Sequence, residues 1–162
     1  MKPFGIEYCE EPVNRPTAEK IQHIKKAAAA RLALDESLYQ VDDTKEWVRN
    51  SGADTLILKP MILGSFDHIR ELCSLADSLN VKIVFTSALE TGIGRMMTAT
   101  FAAACGSKEH VHGLATGSLL QKDLTKDSFF IGNGSFYLPD QPGLGIALDP
   151  RKTEIELKPL EI

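Results

Sequence analysis

A chain of 162 residues has room for one domain with a sizeable core. Its apolar and charged fractions, 43% and 25%, are those of a soluble globular protein, and a formal charge of −4 excludes the basic stripe a nucleic-acid partner needs. No apolar run nears the ~20 residues of a membrane span, and the opening MKPFGIEYCEEP lacks a secretory signal's apolar segment, so a cytoplasmic setting with no membrane partner is expected.

In chain order, short apolar runs alternate with longer amphipathic ones. FGIEYC (4–9) reads as a strand, and PTAEKIQHIKKAAA (16–29) as a helix with Ile21, Ile24 and Ala28 on one face. ARLAL (30–34) is a second strand, followed by a helix over 42–52 that Asp42 or Asp43 caps and Gly52 ends. TLIL (55–58) is a third strand, with a continuous apolar run that suits burial on both faces. The segment 65–80 carries Ile69, Leu72, Leu75, Ala76 and Leu79 at helical spacing. KIVF (82–85), a helix near 91–105 and HVHGLA (110–115) complete the series. Repeated βα units predict a parallel sheet with helices outside it. Cys9, Cys73 and Cys105 are odd in number, widely spaced and form no metal motif, so they read as buried thiols in a reducing compartment.

The unit length sharpens the expectation. Glu10, Asp35, Lys59 and Ser87 each follow a strand run and lie 25, 24 and 28 residues apart in the numbering. The carboxyl ends of parallel strands share one face, which carries the chemistry of such folds. Two acids, a lysine and a serine are therefore predicted on one rim. Carboxylates from neighbouring strands make a hard oxygen site suited to Mg²⁺, and a lysine one strand on could move a proton or stabilise developing charge. The acids of CEEPV and ALDES come in pairs, and alternation along a strand predicts that one of each pair faces inward. On spacing alone the same acids suit helix caps, and Lys59 suits a solvated strand end.

IEYCEEP, LALDES, LILKP and VFTSALETGIG resemble successive strand ends in the barrel domain of the enolase superfamily. The resemblance is to the muconate-lactonizing subgroup, most closely the o-succinylbenzoate synthases, and runs from FGIEYCEEP through HGLATGSLL to PGLGIALD. It implies that Glu10 and Asp35 are Mg²⁺ ligands and that Lys59 faces the metal across a small-molecule carboxylate substrate. It further implies that Ser87, with backbone donors at the start of the next helix, meets the succinyl chain. The implied reaction is a lyase step of menaquinone biosynthesis, the syn-elimination of water from a succinyl-hydroxycyclohexadiene carboxylate. The metal would hold the carboxylate and Lys59 would stabilise the intermediate by its charge, with a lysine from another strand as base.

Strand seven of that pattern (KIVFTSALE) carries no His, and strand eight (HVHGLATGSLL) no Asp-x-Asp pair, which argues against mandelate-racemase and typical dipeptide-epimerase arrangements. Counting units gives strands four to eight of a partial (β/α)8 barrel, without the first three strands or the capping domain. The expectation is an α/β chain over 1–162 that is a C-terminal barrel portion, inactive alone and in need of the N-terminal half for its third ligand and base. Two open edges and an exposed inner face are expected with it. Residues 126–162 read as a tail packed on the barrel or the cap. The alternatives are an N-acylamino-acid racemase or dipeptide epimerase of the same subgroup, or a non-catalytic α/β binding module. Glu11 and Glu36 read as acids beside the site rather than ligands, Glu90 as a helix-start acid, and Trp47, Met96 and Met97 as packing residues.

Overall fold

The structure, a computed structural model, describes residues 4–39, 41–126 and 131–152, with backbone alone for 41–43. Four parallel strands in the order β1-β2-β3-β4 form the sheet: β1 Cys9–Glu10, β2 Leu32–Leu34, β3 Thr55–Leu58 and β4 Lys82–Phe85. A fifth position is marked by one parallel bridge, Thr86 to Gly113, where the predicted strand 110–115 shrinks to a single pairing. The first strand is also shorter than FGIEYC suggests and includes Glu10 rather than ending before it.

Helices α1 Ala18–Ala28, α2 Val41–Asn50, α4 Phe66–Ser78 and α5 Gly92–Cys105 follow the four strands in turn, with a short α3, Pro60–Leu63, after β3. Their starts are chemical. Thr17 Oγ1 accepts from the Lys20 amide and Ser65 Oγ from the His68 amide, each at 3.3 Å, relieving amides that a first helical turn leaves unpaired. The expected cap of α2 at Asp42 or Asp43 is displaced, because the helix already begins at Val41. Gly52, with φ +68°, takes the left-handed turn that returns the chain to β3.

Leu32, Leu34, Leu56, Leu58, Ile83 and Phe85 point outward into a core completed by Ile21, Val48, Ile69, Leu72, Ala76 and Phe101 of the helices. Ala33, Ile57 and Val84 point the other way and pack with Tyr8. That inner face is buried, contrary to the expectation of exposure. The reason is curvature: Tyr8 beside β1 meets the His110 ring near the fifth strand edge-on, with centroids 5.7 Å apart. These rings, one just before β1 and one just before the Gly113 bridge, bring the two sides of the sheet together.

Asp54 ties the lower ends of the strands together. Its carboxylate accepts from the Leu32 amide (3.0 Å) and the Lys25 ammonium (2.8 Å), while its own backbone pairs with Leu32 and Lys82. Beyond the barrel units, β5 Ile131–Gly132 and β6 Ser135–Phe136 form an antiparallel hairpin. Ile131, Phe136 and Leu138 line a cavity with Ala99 and Ala102 of α5, and Thr125 bridges Leu148. Residues 127–130 and 153–162 of the predicted tail lie outside the described residues.

Ile69 is fully buried between α4 and the sheet, whereas Met61 is 59% exposed. Ile69→Ala is therefore expected to cost about 2–5 kcal/mol in urea unfolding, and Met61→Ala less than about 0.5 kcal/mol. Equal costs would contradict this placement of the core.

Candidate metal centre

The inward-facing positions are set by strand pairing. Glu10 pairs with Ala33, Ala33 with Thr55, and Ile57 with Val84, so Glu10, Asp35, Lys59 and Thr86 continue the inner face at the carboxyl ends. Lys59 keeps the alternation of β3 because Pro60 follows it. The residue before proline is held extended, and Pro60 starts α3 at a position where its missing amide is not needed.

Lys59 Nζ donates to both carboxylate oxygens of Asp35 and lies 3.5 Å from the Tyr39 hydroxyl. Its ammonium also sits 5.5 Å from the Tyr39 ring centroid. Both charges are sheltered, with side chains 16% and 7% exposed. Burial pulls the lysine pKa down, but the hydrogen bond and charge of Asp35, helped by Tyr39, outweigh it and leave it raised.

Glu10, Asp35 and Glu36 offer carboxylate oxygens that all lie within 4.8 Å of one another. Burial and the Asp35 and Glu36 charges push the Glu10 carboxyl above its ordinary value, partly offset by Lys59. Glu36 is the member that alternation assigned outside the cluster. After Asp35 the chain leaves the strand at once for a 3₁₀ turn, Glu36–Leu38, which brings the second acid round to the first. Glu11 goes elsewhere: with φ 39° its backbone bends away, and its carboxylate accepts from the Ser37 hydroxyl (2.8 Å to Oε2). A cleft opens beside Glu36 and Tyr39, lined also by Arg15 and Trp47.

Ser87 has the opposite parity to Thr86 and is buried. Its hydroxyl lies 3.2 Å from the Gly113 carbonyl and 2.8 Å from the Thr116 hydroxyl, joining β4 to the fifth strand. Thr86 is the inward residue at this strand end, and its buried hydroxyl has no hydrogen-bond partner among the described residues. The pairing of Val84 with Ile57, visible only in the structure, sets this parity. The start of α5 already holds a carboxylate of the chain itself: Asp123 Oδ1 accepts from the Gly92 amide (2.8 Å) and Oδ2 from Arg95 (2.6 Å). Glu90, just before Thr91 at the start of α5, is buried, accepting from the Ala88 amide (2.7 Å) and facing Thr98.

Three carboxylates with a seated ammonium suit a hard divalent cation. The clustered negative charge and the raised Glu10 carboxyl mark a place where a further positive charge is favoured. The donor set thus fits Mg²⁺, with Glu10, Asp35 and Glu36 as the oxygens this chain supplies.

Comparison with known proteins agrees with the parallel α/β fold. Residues 1–152 match the family described as enolase C-terminal domain-like. The chloromuconate cycloisomerase of Cupriavidus pinatubonensis is 28% identical over 149 residues, 92% of this chain and 40% of its own length. The o-succinylbenzoate synthase of Mycobacterium tuberculosis is 31% identical over 121 residues, 75% of this chain and 36% of its own. Among solved structures, the muconate lactonizing enzyme from Pseudomonas putida superposes with a TM-score of 0.79 at 21% identity, over 91% of this chain and 41% of that one. The N-succinyl Arg/Lys racemase from Bacillus cereus gives 0.77 at 20% identity, over 93% and 40%. The chain thus spans about two-fifths of the length of these relatives. These likenesses fix the shared fold.

Burial, partly offset by the Ala88 amide, Thr98 and Arg95, raises the Glu90 carboxyl above its ordinary value. A raised folded-state pKa means the ionised form opposes folding, so its cost is absent below the unfolded pKa and grows as pH rises through the folded one. Glu90→Gln keeps the acceptor for Ala88 and removes that cost. Its stability advantage over wild type, read from urea midpoints, is expected at pH 7 and to shrink as pH falls towards 4. An advantage that widens on acidification would refute the assignment.

Proposed function

We propose, from the premise that this chain belongs to the enolase C-terminal domain-like family, that it carries half of a Mg²⁺-dependent lyase site of the o-succinylbenzoate synthase type. The observation that carries the reading is the convergence of Glu10, Asp35 and Lys59 on one rim, with Lys59 on Asp35. Identity of 31% to o-succinylbenzoate synthases supports this member of the family.

Glu10 and Asp35, with Glu36 beside them, are the residues that would hold Mg²⁺. When bound, the ion supplies Lewis-acid polarisation of a substrate carboxylate. The Lys59 ammonium, which donates to Asp35, would lie beside a carboxylate held at this rim. Its charge would stabilise negative charge that develops next to the carboxylate when a proton is removed. Thr86, inward and without a hydrogen-bond partner among the described residues, offers a hydroxyl at the same rim, and Ser87 acts by holding that strand end against Gly113 and Thr116.

The base and a further acid are assigned to polypeptide that completes the barrel. The chain spans about two-fifths of its relatives, and β1 pairs on one side only among the described residues. The longer alignment with a cycloisomerase, 92% of this chain against 75% for the synthases, favours muconate cycloisomerisation as the second reading.

Thermal melts of the chain with and without Mg²⁺ test the site. At about ten times the dissociation constant the ion is expected to stabilise wild type by roughly 1.4 kcal/mol, and Asp35→Asn to abolish that gain. With the completing polypeptide present, Lys59→Ala is expected to lower turnover of the cyclohexadiene substrate by about 10²–10³-fold while keeping the Mg²⁺ response. Turnover of muconate without dehydration would replace this reading by the second, and no Mg²⁺ response even with the completing polypeptide present would end both.

A further inference from the structure

Far from the carboxylates, at the opposite ends of the strands, two cysteines meet. Cys73 lies on the inner side of α4 and Cys105 is the last residue of α5; their sulfurs are 2.9 Å apart. Thirty-two positions separate them in sequence, and the packing of both helices against β4 brings them together. Cys73 is buried, while Cys105 is partly exposed and also reaches the Phe101 carbonyl at 3.4 Å. A small cleft opens on the pair, bounded by Asp77, Lys82, Ile83, Ser107 and Lys108. Lys82 and Ile83 begin β4, so the cleft faces the amino ends of the strands.

We infer that Cys73 and Cys105 form a redox-active dithiol, a modification site that a small disulfide of the glutathione class converts into an intramolecular bridge between α4 and α5. A disulfide needs its sulfurs at about 2.05 Å, so closure asks for a shift under about 1 Å, within the reach of side-chain rotation. The two thiols are unequal. The hydrogen bond from Cys73 holds the Cys105 thiol below its ordinary pKa, while the same bond and burial push Cys73 far up. Cys105 is therefore the attacking thiolate and also the one the cleft exposes.

The exchange balances. Cys105 Sγ⁻ attacks one sulfur of the small disulfide, forming a mixed disulfide and releasing one small thiolate. Cys73 then loses its proton to solvent and attacks Cys105 Sγ, releasing the second thiolate. The protein gives up two protons and two electrons, and the small disulfide becomes two thiols. The bridge closes a long loop through α4, β4 and α5, restricts the unfolded chain, and leaves the carboxylate rim untouched.

The test is to treat the reduced full chain with oxidised glutathione and read intact mass and non-reducing peptide maps. Wild type and Cys9→Ser are expected to lose the mass of two hydrogens with a Cys73–Cys105 cross-linked peptide, and to melt roughly 5 °C higher. Cys73→Ser is expected to stop at a lasting glutathione adduct on Cys105, and Cys105→Ser to form neither bridge nor adduct at Cys73. A bridge that includes Cys9, a lasting adduct on wild type, or no reaction of wild type at all would overturn the inference. The wild-type and Cys9→Ser maps decide it even if a core cysteine variant fails to fold.

Discussion

A lysine ammonium placed on both oxygens of a neighbouring strand's carboxylate is the constraint on which the rim depends. Asp35 and Lys59 are nearly sequestered from water, and such a pair gains little net stability over apolar packing, because desolvation of both charges opposes their attraction. Removing one partner is another matter, since the survivor stays buried and uncompensated. A protein that keeps this pair keeps it for what the charges do. The pair exists only because β2 and β3 run parallel and in a register that puts Asp35 and Lys59 on the same side of the sheet.

The carboxylate cluster follows from the same register. Glu10 on β1 is held beside Asp35 by two hydrogen-bonded neighbours, Cys9 with Leu32 and Glu10 with Ala33. Like charges so close repel, and the raised Glu10 carboxyl records that repulsion together with burial. The Lys59 ammonium relieves part of it. A divalent cation would relieve more, with the fixed backbone of the strands supplying the preorganisation.

Stability and chemistry are divided between the two ends of the sheet. At the amino ends, Asp54 clamps β2 to β3 with Lys25, and the Cys73–Cys105 contact joins the two helices that flank β4. At the carboxyl ends, polar groups are gathered in unfavourable proximity. The inner apolar layer of Tyr8, Ala33, Ile57 and Val84 lies between them, and the Tyr8–His110 contact closes it against water. On the far side of β4, Asp123 and Arg95 hold the start of α5, and Ser87 with Thr116 pins the fifth strand.

The sequence by itself determined the βα alternation, the parallel sheet, and the rim carrying Glu10, Asp35 and Lys59. Those properties are periodic: apolar runs of strand length, amphipathic runs of helix length, and strand ends about 25 residues apart. The enolase-superfamily resemblance was carried by the same strand ends, and the match over residues 1–152 agrees with it. Only the tertiary structure decided which of two adjacent polar residues enters the site. Glu36 joined the cluster because a 3₁₀ turn broke the strand alternation after Asp35, and Thr86 took the inward place beside Ser87 because the parity of β4 is set by pairing with β3. The covered inner face and the meeting of Cys73 with Cys105 lay equally beyond the sequence. They arise from sheet curvature and helix packing, which bring together residues that no local pattern relates.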